Sequence, residues 1–133
     1  MWHFIRTSLL FSAVSLLFSF ERGHIVSIEE IDYESHTQIQ VNIDNELGDL
    51  GIEVDYGATM YKLVYETVDG FGDSTIASGV FAVPESENEA YGILSWQHGT
   101  SIQRDGVQSN NGFDVLSRVV AASGFVYVAA DYL

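Results

Sequence analysis

The chain has 133 residues, of which 47% are hydrophobic and 13% aromatic, so its composition excludes an intrinsically disordered protein. The 19 Asp and Glu against 5 Lys and Arg give a formal net charge of −14. Because no basic surface is available to bind a phosphate backbone, the charge argues against nucleic acid as a partner. The absence of Cys excludes a disulfide framework, a thiolate nucleophile and a Cys-ligated zinc site.

The N-terminus has the layout of a secretory signal peptide. Residues 1–6 carry one positive charge, and residues 7–20 form an uncharged run rich in Leu, Phe, Ser and Val. This run is shorter than the about 20 residues that a transmembrane helix needs, so no stable membrane span is expected. We expect residues 1–20 to direct export, either to the periplasm or out of the cell. An uncleaved membrane or lipid tether and a buried helix remain open as alternatives.

Residues 21–56 form an acidic lead-in segment, because Lys and Arg are absent from residues 23–61 while Asp and Glu accumulate there. Part of this segment resembles a calcium loop in its spacing of oxygen-bearing side chains, which fall at Asn42, Asp44, Glu46 and Glu53. However, Leu47 occupies the position at which such a loop needs Gly, and Asp49 the position of its apolar residue. We therefore favour a solvated acidic surface and predict no metal site.

Two β-rich runs follow. Residues 60–68 alternate in the way of a half-buried strand, with one face formed by Tyr61, Leu63 and Tyr65. Residues 75–83 form the second run, after a turn rich in Gly and Asp. Together they predict an antiparallel hairpin. Pro84 should end the second strand, because it has no N–H to donate to a neighbouring strand.

The pattern then changes to that of a parallel sheet. Residues 91–97 are apolar on both faces, as expected of a strand that is covered on both sides. Residues 112–123 carry a helical apolar stripe, with Asn111 placed to cap the helix and Gly124 placed to end it. Residues 125–130 form another buried-type strand. Strand, helix and strand in this order predict a right-handed βαβ unit.

The last residues indicate a longer protein. A central parallel strand that runs into Asp131, Tyr132 and Leu133 leaves both edges of a small sheet open. One hairpin and two parallel strands cannot cover each other's faces. We therefore expect the chain to be the N-terminal part of a longer polypeptide.

Residues 61–133 resemble the start of an α/β-hydrolase, and more narrowly the secreted lipase and esterase branch near the prolyl-oligopeptidase-like hydrolases. Three stretches carry the resemblance: YKLVYETVDGFGDSTIASGVFAVP, GILSWQHGT and FVYVAADYL. It implies an α/β fold in which residues 57–133 are the N-terminal, truncated part of an α/β-hydrolase sheet. That incomplete sheet would contain the antiparallel leading hairpin and then the parallel βαβ unit.

The same resemblance implies an oxyanion loop after the strand at residues 91–97. In this fold a backbone N–H from that loop stabilises the oxyanion formed during acyl transfer. We assign the donor to Thr100, with Ser101 as the second choice, and treat His98 and Gly99 as the scaffold of the loop. Gly99 would let the backbone approach the substrate, because it has no Cβ.

The catalytic nucleophile, base and acid are expected beyond Leu133. Gly-x-Ser-x-Gly does not occur in the sequence, and Ala77-Ser78-Gly79 lies inside a predicted strand. The chain by itself is therefore predicted to be inactive. No cofactor is expected.

Other candidate sites are weaker. Asp131 lies at the C-terminal end of a parallel strand, where open α/β sheets bind ligands. We favour a carboxylate that stabilises a loop by accepting backbone N–H groups over a direct role in catalysis. The His residues are too scattered for a metal site, and the loop after Trp96 lacks the Gly-rich pattern of a phosphate-binding loop.

These observations favour an exported serine hydrolase, a lipase or esterase, that acts on a small-molecule or lipid carboxylic ester. A related serine peptidase is the nearest alternative, because ester and amide cleavage use the same catalytic groups. A secreted acidic binding module without catalysis is the alternative from another class. The oligomeric state and the acyl and alcohol groups of the substrate stay open.

Overall fold

The computed structural model describes residues 21–48, 50–87, 92–97 and 106–131. The elements in these ranges are β1 (Ile25–Glu34), α1 (His36–Leu47), β2 (Ala58–Val68), β3 (Ser74–Pro84), β4 (Gly92–Trp96), a 3₁₀ turn (Gln108–Asn110), α2 (Val115–Ala122) and β5 (Phe125–Ala130). The strands form a five-stranded sheet in the order β1-β2-β3-β5-β4. The predicted signal peptide lies outside the described residues and stays a prediction.

The predicted hairpin is confirmed. β2 and β3 pair antiparallel without a register shift, from Ala58 opposite Pro84 to Val68 opposite Ser74. The turn is closed by Asp69, whose Oδ1 accepts the N–H of Phe71 at 2.8 Å and the N–H of Asp73 at 3.0 Å. β3 ends at Pro84, as predicted.

The acidic segment contains a strand that the sequence analysis did not assign. β1 pairs antiparallel with β2, so residues of this segment belong to the same sheet as the hairpin. The register shifts between Ile25 and Ser27 and again between Glu30 and Asp32. Each shift inserts an irregularity that breaks the alternation of side chains, and the strand therefore lacks a period of two.

The acidic segment also contains α1. Ser35 caps its N-terminus by accepting the N–H of Gln38, and Gly48, at φ 77°, ends it. The helix buries Ile39 and Ile43, which lie one turn apart on one face. Three of the four candidate calcium ligands lie within this helix, namely Asn42, Asp44 and Glu46. They therefore do not form a calcium loop.

The hydrophobic core lies between the two helices and one face of the sheet, which we call the inner face. The helices contribute Ile39 and Ile43 from α1 and Val120, Ala121 and Ala122 from α2. The strands contribute Met60, Val80, Ala82, Tyr127 and Ala129, all of which are buried. The opposite side of the sheet is called the outer face. Neither helix in the described ranges is long and apolar enough to cross a membrane.

The parallel pairing of β4 with β5 is confirmed, but the expected coverage of β4 is not. Gly92 pairs with Phe125 and Trp96 with Ala129. All five residues of β4 are exposed, and the side chain of Ile93 has a relative exposure of 72%. The expectation that both faces are covered is therefore wrong for the described residues. The physical reason is that β4 is an edge strand there, and α2 packs mainly over β3 and β5.

The helix of the βαβ unit begins later than predicted. Its N-cap is Asp114, whose Oδ1 accepts the N–H of Ser117 at 2.8 Å, and not Asn111. The backbone of Gly112 has a positive φ of 71°, which keeps the preceding residues out of the helix. The predicted end is confirmed, because Gly124 has φ 85° and donates its N–H to the carbonyl oxygen of Ala121.

Candidate functional site

The C-terminal ends of β4 and β5 meet at one edge of the sheet, because the two strands are parallel. Open α/β sheets bind their ligands at this edge. The predicted oxyanion loop follows β4, but all four of its residues lie outside the described ranges: His98, Gly99, Thr100 and Ser101. Asp131 follows β5 and is described. The described part of the site is therefore Asp131 together with residues 106–114.

Asp131 connects three parts of this edge. The residue is buried, with a relative exposure of 6%. Its Oδ2 accepts the hydroxyl of Ser78 on β3 at 2.6 Å, and its Oδ1 accepts the backbone N–H of Ser109 at 3.3 Å. The carboxylate thus makes the backbone contact that a loop-stabilising role requires. The hydroxyl of Ser78 donates a hydrogen bond to this carboxylate, so the buried carboxylate and the hydroxyl satisfy each other.

A second contact holds the same loop. The hydroxyl of Tyr127, which is fully buried on β5, donates to Oε1 of Gln108 at 2.8 Å. Burial, together with a smaller contribution from the nearby negative charge of Asp114, raises the pKa of Tyr127 to about 12. The phenol therefore stays neutral near neutral pH and remains a donor to Gln108.

An open depression of about 280 Å³ lies beside this loop. Its lining includes Trp96 at the end of β4, Gln108, Asn111 and Asp114. Two buried polar atoms have no hydrogen-bond partner in the part of the chain that the structure describes, namely Nε2 of Gln108 and Oγ of Ser109. Leaving such an atom buried without a partner lowers the stability of the folded state by about 1–3 kcal/mol. The buried polar atoms that lack partners are thus concentrated where the predicted oxyanion loop leads into α2.

Sequence reasoning missed the partners of Asp131. Ser78 lies at an inner-face position of β3, in line with the buried residues Val80 and Ala82. A polar residue in an otherwise apolar row was the available signal, because buried hydroxyls need a hydrogen-bond partner. Gln108 and Ser109 gave no such signal, because they occur in an irregular polar loop.

The raised pKa of Tyr127 predicts a loss of stability at high pH. The unfolded chain loses the phenol proton near pH 10 and the folded chain near pH 12. The stability contributed by the neutral phenol is therefore fully present below pH 10 and is lost as the pH rises through about 12, a change of about 3 kcal/mol. Urea unfolding at several pH values should show this decline in the wild type and a smaller one in Tyr127→Phe. Equal declines in the two proteins would contradict the assignment.

Comparison with protein families gives no matching family model. No curated protein sequence matches the chain either.

Solved structures do match. A Legionella pneumophila protein that is assigned as a hydrolase aligns with a TM-score of 0.67 and 28% identity, over 82% of this chain and 30% of its own length. The rice cell wall degrading esterase LipA of Xanthomonas oryzae, in a ligand-bound form, aligns with a TM-score of 0.72 and 24% identity, over 85% of this chain and 30% of its own length. The chain spans about 30% of the length of these similar structures.

One of these similar structures is assigned as a hydrolase and the other is an esterase, and both align with more than four fifths of this chain. The leading antiparallel strands and the parallel β4–β5 pair form one mixed sheet, with helices packed on it. The described residues therefore have the fold of part of an α/β-hydrolase core.

Proposed function

We propose that this chain supplies the front part of a serine hydrolase that acts on carboxylic esters, within the secreted lipase and esterase branch of the α/β-hydrolases. The observation that carries the proposal is the structural match over 82% of the chain, at 28% identity, to a protein assigned as a hydrolase. The position of residues 98–101 directly after β4 supports it further, because this fold takes one oxyanion donor from the loop at that place.

In the proposed reaction a serine Oγ attacks the ester carbonyl carbon, and a base accepts the serine proton. The carbonyl oxygen becomes an anion, which the backbone N–H of Thr100 stabilises, or that of Ser101 as the second choice. His98 and Gly99 shape this loop. When the oxyanion collapses, the alcohol leaves with the proton from the base, and water then releases the acid from the serine. The serine, the base and its acid partner would come from residues beyond Leu133.

The chain's share in catalysis can be tested with two matched substrates. We expect the product of the complete reading frame that contains this chain to hydrolyse p-nitrophenyl butanoate, and residues 1–133 alone to be inactive. The corresponding p-nitroanilide has the same acyl group but an amide bond, so its rate measures peptidase character. Faster cleavage of the anilide would favour the serine peptidase. Cleavage of neither substrate by the complete protein would favour a binding module.

A further inference from the structure

Residues 106–113, which we call the connecting loop, lie in the chain between the predicted oxyanion loop and α2. They contribute most of the lining of the depression at the C-terminal edge of the sheet. Within the connecting loop the only buried residues are Ser109 and Phe113. A segment with so little apolar burial depends on its polar contacts for its order. Those contacts are made with β5 at one end of the loop and with β1 at the other.

The contacts with β5 depend on the orientation of the Asp131 carboxylate. The N–H of Asp131 donates to the carbonyl oxygen of Ser78 at 3.0 Å, and the hydroxyl of Ser78 donates to Oδ2 of Asp131 at 2.6 Å. These two bonds fix the carboxylate, so that its other oxygen, Oδ1, accepts the N–H of Ser109 at 3.3 Å. One residue earlier, Gln108 accepts the hydroxyl of Tyr127. The end of β5 thus binds the connecting loop at two consecutive residues.

The contact with β1 fixes the other end of the connecting loop. Oδ2 of Asp32 accepts the N–H of Phe113 at 3.2 Å. Asp32 follows the second register shift of β1, and an irregularity of this kind redirects a side chain. Gly112 lies so close to Asp32 that a Cβ at this position would clash with the carboxylate. The connecting loop is therefore bound to the sheet at both of its ends, each time through a carboxylate that accepts a backbone N–H.

The connecting loop bears on catalysis because the chain runs into it from the proposed oxyanion donor. The segment that contains Thr100 begins at the end of β4, where Trp96 pairs with Ala129, and it ends at Gly106. An oxyanion donor is effective only when it is held in position before the reaction. We propose that Asp131 is a positioning residue for the ester hydrolysis proposed above, because it fixes the loop at which the donor segment ends. The inference rests on that proposed function, and the role needs the acceptor oxygens of Asp131 but not its charge.

The test compares Asp131→Ala with Asp131→Asn in the complete protein that contains this chain. Asp131→Ala removes the acceptor of the Ser109 N–H. We expect it to lower kcat for p-nitrophenyl butanoate by about 10- to 100-fold with little change in KM, the loss typical of a small misplacement of a catalytic group. Asp131→Asn keeps an acceptor oxygen and removes only the charge, so it should retain kcat within a few-fold. Equal losses in the two variants would show that the charge itself acts, and the positioning role would be wrong.

A second measurement separates a misplaced donor from a general loss of stability. Butylboronic acid adds to a catalytic serine and forms a tetrahedral mimic of the transition state, so its Ki should rise in Asp131→Ala by the factor by which kcat falls. The control is Ile43→Ala, which removes a buried side chain of α1 that takes no part in the polar contacts of the connecting loop. At a temperature at which it is folded, this control should keep the wild-type kcat and Ki.

Two kinds of failure can be told apart. Unchanged kcat and Ki in Asp131→Ala, or an equal change in Ile43→Ala, would overturn the positioning role. A wild-type protein that hydrolyses no ester would contradict the proposed function itself. Amide hydrogen exchange of residues 106–113 should be faster in Asp131→Ala than in the wild type, and equal exchange would show that Asp131 does not hold the loop. If Asp131→Ala does not fold, the double variant Ser78→Ala with Asp131→Leu fills the site without a buried hydroxyl and should show the same loss of kcat.

Discussion

Thr100→Pro should lower kcat for ester hydrolysis by about 100- to 1,000-fold in the complete protein that contains this chain, which is the loss typical of one oxyanion donor. Proline has no N–H, so the substitution removes the proposed hydrogen bond to the developing anion. KM should change much less than kcat, because the bond forms mainly in the transition state. The measurement is steady-state hydrolysis of p-nitrophenyl butanoate.

Thr100→Ala is the matched control, because it removes the same side chain but keeps the backbone N–H. We expect it to retain kcat within a few-fold. Ser101→Pro tests the second choice of donor in the same assay. If Ser101→Pro loses activity and Thr100→Pro does not, the donor is Ser101. If Thr100→Ala loses as much as Thr100→Pro, the backbone role is wrong.

Arg118→Met should lower the free energy of unfolding by about 3 kcal/mol, because it leaves a buried carboxylate without its cation. Arg118 on α2 binds Glu34 at the end of β1 through Nε, at 2.9 and 3.1 Å, and through Nη2 at 2.9 Å. Its Nη1 also binds Glu46 of α1 at 2.6 Å. The hydrogen bond to Glu34 raises the pKa of Arg118, so the guanidinium stays charged.

Arg22→Met is the control for this substitution, since Arg22 is exposed and its replacement should change stability by less than about 0.5 kcal/mol. Both variants are compared by urea unfolding. The double variant Arg118→Met with Glu34→Leu should recover part of the loss, because it removes the unpaired carboxylate as well. A loss in Arg118→Met no larger than in Arg22→Met would show that the ion pair adds nothing to stability.

The elements that could be predicted from the sequence are those in which the pattern of apolar and polar side chains is not interrupted. β2, β3 and β5 have regular side-chain alternation or a compact apolar run, and their bounds differ from prediction by two residues at most. β1 could not be found in this way because two register shifts interrupt its alternation. α1 buries only two residues, Ile39 and Ile43, so its apolar stripe is too narrow to detect. The Ser35-x-x-Gln38 spacing of its cap was the usable signal.

The candidate site also has one part that could be predicted from the sequence and one part that could not. Asp131 could be placed at the C-terminal edge of the sheet because its position follows from that of β5 alone. Its partners could not be predicted, because Ser78 is 53 residues away in the chain and Ser109 is 22 residues away. Only the sheet order brings β3 beside β5 and so joins Ser78 to Asp131. Local spacing carries no information about contacts of this kind.

The position of β5 between β3 and β4 has a consequence for synthesis on the ribosome. β1, β2 and β3 are neighbours both in the chain and in the sheet, so they can pair as soon as residue 84 has emerged. β4 emerges next, but in the described structure its only partner is β5, which ends at residue 130. Until then the nascent chain exposes an unpaired apolar strand and the bare edge of β3. This interval is when chaperones would bind and when misassembly between nascent chains would begin.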